Sequence, residues 1–322
     1  MTSRPPRHRL DYVDQLVGDD SAGEAPAGVV REFGTDPSRA RDVDVVHLTD
    51  VAKAIGTRRT SEHERTRRAK RFVKLLRRQR IALVRTVRAE EVGRAPSRAE
   101  VIIDQAAASL VSLTATTSST GHATVIIAHS HLRDRFLGFP RAESVPGRIL
   151  ITAHDELPAA YEAVVKVFAA SDLPEWTLRI AGAVPAELED SYTRTLADHT
   201  GAFSLRDEAL SDAARVEEIS QAELVVVAAP ESNESQSIIL LALSLDRAVL
   251  VEDTAAMRTL ADEVGSEWVR RHPGALTADA LETALLALRS SPPADRPNLD
   301  AREPNAISAQ YTAVFRAAAG EH

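Results

Sequence analysis

The chain of 322 residues contains no cysteine, so disulfides, thiolate metal sites and cysteine nucleophiles are all excluded. Aromatic residues make up only 4%, which leaves little material for the base-stacking platforms of single-stranded nucleic-acid binders. No run of about 18 apolar residues occurs anywhere. The basic start MTSRPPRHRLDYVDQL lacks an apolar stretch behind it, so neither a membrane span nor an export signal is expected. A reducing cytoplasm fits this pattern. What the chain has in quantity is aliphatic: 44% of its residues are hydrophobic, with Ala, Val and Leu dominant, enough at this length to fill two domain cores.

Charge is unevenly spread. The net value is −8, yet residues 51–100 hold 16 Lys or Arg against 5 acids, so a basic element is grafted onto an acidic body. Its centre is EHERTRRAKRFVKLLRRQR, residues 62–80, which places Ala69, Phe72, Val73, Leu75 and Leu76 on roughly one face of a helix. Basic amphipathic helices lie on anionic membrane surfaces. A crossover helix packed on a sheet would show the same pattern, and the acidic remainder argues against nucleic acid.

Strand and helix patterns alternate along the chain, which indicates an α/β fold with parallel sheets and right-handed crossovers. Residues 1–40 are rich in Pro, Gly, Asp and Arg and offer one weak strand, Gly28 to Phe33. Strands are then expected at Asp44–Leu48, Ile81–Val87, Leu110–Leu113 and Thr124–Ala128, with helices at Glu62–Gln79 and Ala99–Ala108. A second series opens at the Pro146-Gly147 pair, with strands at Arg148–Ile151, Thr177–Ala181 and Ala202–Leu205 and helices at Leu157–Ala169 and Ala186–Asp198. SSPPADRPNLD reads as a linker, and Ala306–Ala319 as a final helix.

The segment Arg215 to Asp253, RVEEISQAELVVVAAPESNESQSIILLALSLDRAVLVED, carries the clearest functional signal. Leu224–Ala228 and Ala248–Val251 are short apolar runs bounded by breakers, and Ile238–Leu245 is too continuously apolar for a solvent-facing helix. This is a βαβ unit whose central loop falls at the carboxyl end of a parallel strand, where ligands of such sheets sit. Glu231, Asn233, Glu234, Ser235, Gln236 and Ser237 stand on that loop and at the helix start, a favourable place for an anion. An ordinary solvated loop has the same composition; placement favours the ligand.

This segment resembles the donor half of the two-Rossmann-domain (GT-B) glycosyltransferases of bacteria, in an actinobacterial-type branch, where the corresponding stretch reads "a-DLVVLPY…NSG…LALSLxRPVLVP". HSHLRDRFLGFPR at 129–141 is similar to a family segment "HGHYRDRF", and ADEVGSEWVRRHPGALTADALETALLAL extends the likeness. The resemblance implies two Rossmann-like domains with a C-terminal crossover helix: an acceptor-side domain over 1–145, a nucleotide-sugar domain over 146–300, and a helix over 301–322 that packs back on the first. It also implies transfer from a nucleotide sugar to a glycan or lipid-linked acceptor, with no metal and no cofactor beyond the nucleotide-sugar substrate, at the inner face of the membrane.

Several positions depart from the family pattern. Asn233 stands where many retaining relatives carry the first acid of an E-x7-E pair, Leu241 replaces the second, and the glycine expected near Ser235 is absent. Where the family shows "RPYKG" this chain has ITAHDELPAA, in which His154 is the only cation beside Asp155 and Glu156. After the strand ending at Val87, Arg88 replaces an expected histidine; Arg85 and Thr86 complete an acceptor-side set, and Glu90 or Glu91 is placed to deprotonate a hydroxyl or to lie idle in solvent. His129 and His131 occupy alternate positions beyond an apolar strand and would point the same way, able to hydrogen-bond sugar or phosphate or to move a proton. The departures keep open a second reading, a degenerate homologue that binds or scaffolds. A third, a binding protein of periplasmic type, conflicts with the missing export signal.

Overall fold

The computed structural model describes residues 36–320 except 58, 88–90, 92–93, 114–123, 137, 140, 153–157, 185, 200, 231 and 294. The chain forms two compact units that divide between Ser130 and His131, and the chain from Arg302 onward belongs to the first. The weak strand expected at Gly28–Phe33 lies outside the described residues.

The first unit holds β1 (Val45–Leu48), α1 (Ala52–Ile55), α2 (Glu62–Gln79), β2 (Ala82–Val87), α3 (Arg98–Asp104), β3 (Ser109–Ser112) and β4 (Thr124–Ile126). Its strands lie in the order β1-β2-β3-β4, every pair parallel. Alternation along β2 explains its two-sided burial. Leu83 faces a core with Ala69, Phe72, Val73 and Leu76 of α2 and Ala99 and Ile103 of α3, while Ala82 and Val84 face Ile307, Tyr311 and Val314 of the last helix. The basic helix is therefore a packed crossover. Ser61 caps it by accepting from the Glu64 N–H at 3.4 Å, and Glu62 and Glu64 in its first turn with Arg77 and Arg78 in its last complement the helix dipole. Leu75 sits at the margin of the apolar face and is only partly buried.

The second unit holds β5 (Arg148–Thr152), α4 (Pro158–Ala170), β6 (Thr177–Ala181), α5 (Glu189–Asp198), β7 (Phe203–Arg206), α6 (Asp212–Gln221), β8 (Leu224–Val226), α7 (Asn233–Ser244), β9 (Ala248–Glu252), α8 (Ala255–Val264), β10 (Val269–His272) and α9 (Ala278–Ser290). All strands are parallel in the order β10-β9-β8-β5-β6-β7. This is the doubly wound order of dinucleotide-binding sheets, and the winding reverses between β5 and β8. Every residue from Ile238 to Leu245 is buried, so α7 is apolar all round because it is covered all round. β10 was not expected from the sequence: Val-Arg-Arg-His lacks an apolar run because the strand forms the sheet edge. The final helix, α10 (Pro304–Gly320), packs on β1 and β2.

Candidate functional site

At the reversal point of the second sheet, β8 ends at Val226 and the chain turns through residues 227–232 into α7. Ala229 adopts φ +48, a left-handed conformation costly for a residue with a Cβ, and its carbonyl accepts from the Ser232 N–H at 3.2 Å. Ser232 caps the helix, its hydroxyl oxygen accepting from the Ser235 N–H at 3.1 Å. The Ser235 hydroxyl donates to the Ala228 carbonyl at 3.1 Å and accepts from the Ser232 hydroxyl at 2.9 Å. Ser235 is fully buried, so it braces the loop and does not present its side chain to a ligand.

What remains facing the edge is the start of α7, where the positive end of the helix dipole lies at the carboxyl edge of the sheet. Glu234 carries an acid in that first turn, Gln236 is buried, and Ser237 is partly exposed. Asn233 opens the helix, and Glu231 lies outside the described residues. Leu241, at the position of the family's second acid, is fully buried in the apolar body of α7. His154, Asp155 and Glu156 lie outside the described residues.

The histidine pair follows the last strand of the first sheet. β4 ends at Ile126, two residues before the expected end, and His129 and His131 lie beyond it. His129 belongs to the first unit and His131 to the second. Both are buried. Burial, assisted by the Arg302 cation, pushes the His129 imidazole down to about 3, so it is neutral at ordinary pH and a weak proton acceptor. The Arg302 guanidinium donates to the His129 carbonyl at 3.2 Å. The His131 Nδ1 accepts from the Arg133 N–H at 3.4 Å, and the Leu132 N–H donates to the Ser244 hydroxyl at 2.9 Å, which seats this segment on the end of α7.

On the first sheet, Arg85 is buried and ion-paired with both Glu91 and Asp104. The pairs spend its charge internally, and the Glu91 carboxylate, expected as a candidate base, is committed to Arg85. Thr86 is held by His47, with Oγ1 and Nε2 2.8 Å apart, and the His47 ring lies 5.9 Å from Tyr311 and 5.3 Å from Phe315. His47 escaped the sequence reading; its one trace was a polar residue inside the apolar run VVHL. Arg88 and Glu90 lie outside the described residues. Among the described residues no three His, Asp or Glu side chains gather to hold a metal ion, and no helix is long and apolar enough to cross a membrane.

No family model matches the chain. Among solved structures, sucrose-phosphate synthase from Thermosynechococcus elongatus superposes with a TM-score of 0.56 at 14% identity, covering 85% of this chain and 73% of that one. A putative UDP-N-acetylglucosamine 2-epimerase from Listeria monocytogenes also gives 0.56 at 14% identity, over 98% and 96%. The fold is GT-B. Because the GT-B neighbours include both a synthase and an epimerase, the fold by itself does not choose the reaction. Sequence comparison adds two proteins named GDP-mannose:glycolipid 4-beta-D-mannosyltransferase from Xanthomonas campestris pv. campestris, 32% identical over 210 residues and 33% over 208. The matches cover 62% of this chain but only 57% of those relatives, so the chain spans little more than half their length.

Proposed function

We propose that this protein is a metal-independent glycosyltransferase that takes its sugar from a nucleotide-sugar donor, GDP-mannose first among candidates, and passes it to a glycan or lipid-linked acceptor. The observation that carries the reading is the start of α7 at the reversal point of the second sheet, in a chain 32% identical to a mannosyltransferase over 210 residues. Transfer needs a group that holds a diphosphate and stabilises its growing charge, and a helix start supplies it without a metal. Ser232 and Ser235 hold the loop, Gln236 and Ser237 line it, and Glu234 opposes the diphosphate by charge. His131 serves as a hydrogen-bonding group toward the sugar, Arg85 and Thr86 act as scaffold for the acceptor side, and Glu90 takes the base role, with Glu91 ion-paired to Arg85.

The acceptor would be approached at an anionic lipid surface. Lys70, Arg71, Lys74, Arg77 and Arg78 of α2 and Arg80 just after it are exposed and carry no ion-pair partner among the described residues. The apolar face of α2 is spent on the core, so attachment is electrostatic and not by insertion of the helix. The test is to incubate the protein with GDP-mannose and lipid-linked acceptor in membranes and to follow GDP release with mannose incorporation, with and without a chelator. Equal turnover in both arms supports the reading. Donor binding without turnover would favour the scaffold reading, which the replacement of the second acid by Leu241 supports.

A further inference from the structure

At the far end of α7 from the donor loop, the second unit contains a cavity of about 320 Å³ lined by Arg133, Asp134, Phe136, Gly138, Phe139, Arg141 and Arg296. The two ends of this helix of 12 residues are separated by about 18 Å, too far for one diphosphate to reach both. The cavity brings three guanidinium groups and two phenyl rings against the lining Asp134, and the Asp246 and Asp300 carboxylates also lie close enough to act on Arg133. Phe136 and Phe139 meet edge to face at 5.3 Å, with the Phe139 N–H donating to the Phe136 carbonyl at 3.1 Å.

The charges are unevenly satisfied. Arg296 is held by Asp246, at 2.9 Å from Nη2 and 3.0 Å from Nε. Arg133 donates from Nη2 to the Pro297 carbonyl at 2.7 Å and lies 3.7 Å from Asp246, but its Nε is buried with no hydrogen-bond partner. Arg141 is exposed and has no acceptor among the described residues. Arg247 stands close enough to Arg141 to feel its charge. A cavity that gathers like charges, leaves two donors unspent and adds an aromatic wall is complementary to an anion that carries an apolar group.

We infer that this cavity is a second ligand site of the protein, distinct from the donor loop, for a small phosphate or diphosphate ester with an apolar group. Arg141 and the Nε of Arg133 hold the phosphate oxygens, and Phe139, backed by the fully buried Phe136, covers the apolar part. Its volume lies at the small end of ligand pockets, which suits a short ester. The inference does not rest on the donor reading.

Calorimetric titration with geranyl diphosphate, inorganic pyrophosphate and geraniol, each in the presence of saturating GDP, tests it. Geranyl diphosphate should bind at least tenfold more tightly than either fragment, with GDP present or absent, and Arg141→Ala and Phe139→Ala should each weaken it at least tenfold. Arg141 is exposed and unpaired, so its variant should melt with the wild type. Flotation with phosphatidic acid vesicles separates the sources: flotation that needs Arg141 assigns a lipid headgroup, and flotation indifferent to it assigns a soluble ester. Displacement of geranyl diphosphate by GDP, or binding unchanged in Arg141→Ala, would overturn the site.

Discussion

Ser235 shows how one hydroxyl decides the conformation of a working loop. Removing it takes from the partly buried Ala228 carbonyl its donor and from the Ser232 O–H its acceptor, while the Ser232 oxygen keeps the Ser235 N–H. Ser235→Ala should therefore lower stability by about 1–3 kcal/mol, read from the urea midpoint. His129 makes a different residue-scale prediction. Its folded pKa is depressed to about 3 from 6.5, so its contribution is fully present above pH 6.5 and is lost as pH falls toward 3, because the unfolded chain takes up the proton first. The slope from this group approaches about 1.4 kcal/mol per pH unit. Between pH 6.5 and 4.5, above the range where Glu100 and Glu218 act in the same sense, His129→Gln should flatten the stability profile and leave the smaller His272 contribution. A profile as steep as the wild type's would contradict the burial argument.

At the scale of elements, legibility followed burial. The β8–α7–β9 unit could be read because its strands and the body of α7 are covered on every side and so keep continuous apolar runs. The start of α7 was harder: its first turn, Asn233-Glu234-Ser235-Gln236-Ser237, is polar and reads as loop until the Ser232 cap is seen. β10 was missed because an edge strand needs few apolar residues, and β4 was extended too far because Ile127 and Ala128 stay apolar beyond the strand's end at Ile126. For α2 the pattern was right and the use of its apolar face was open; packing on β1 and β2 closed it. Lys70→Glu with Lys74→Glu should leave the melting temperature within about 1 °C, since both are exposed, and should weaken binding to anionic vesicles at low salt. Undiminished vesicle binding would remove α2 from the acceptor account.

For the whole molecule, the alternation of strand and helix was enough to give the α/β class with parallel sheets, because each crossover has a handedness and a length that leave few topologies, while the Rossmann-like second sheet came from the family resemblance. The candidate sites were only half legible. The donor loop is contiguous in sequence and sits where the topology demands, whereas the cavity joins Arg133 and Arg141 to Arg296, a separation that no spacing rule reveals. The central claim is that a nucleoside diphosphate lies on the start of α7. The most direct measurement is the binding of GDP, UDP and ADP to the wild type, Glu234→Gln and Ser232→Ala, followed by melting temperature and calorimetry. The account predicts selective binding of one nucleotide, severalfold tighter in Glu234→Gln, where a repelling charge is gone, and weaker in Ser232→Ala, where the helix start loses its cap. No shift with any nucleotide at millimolar concentration, or an affinity indifferent to both substitutions, would contradict it.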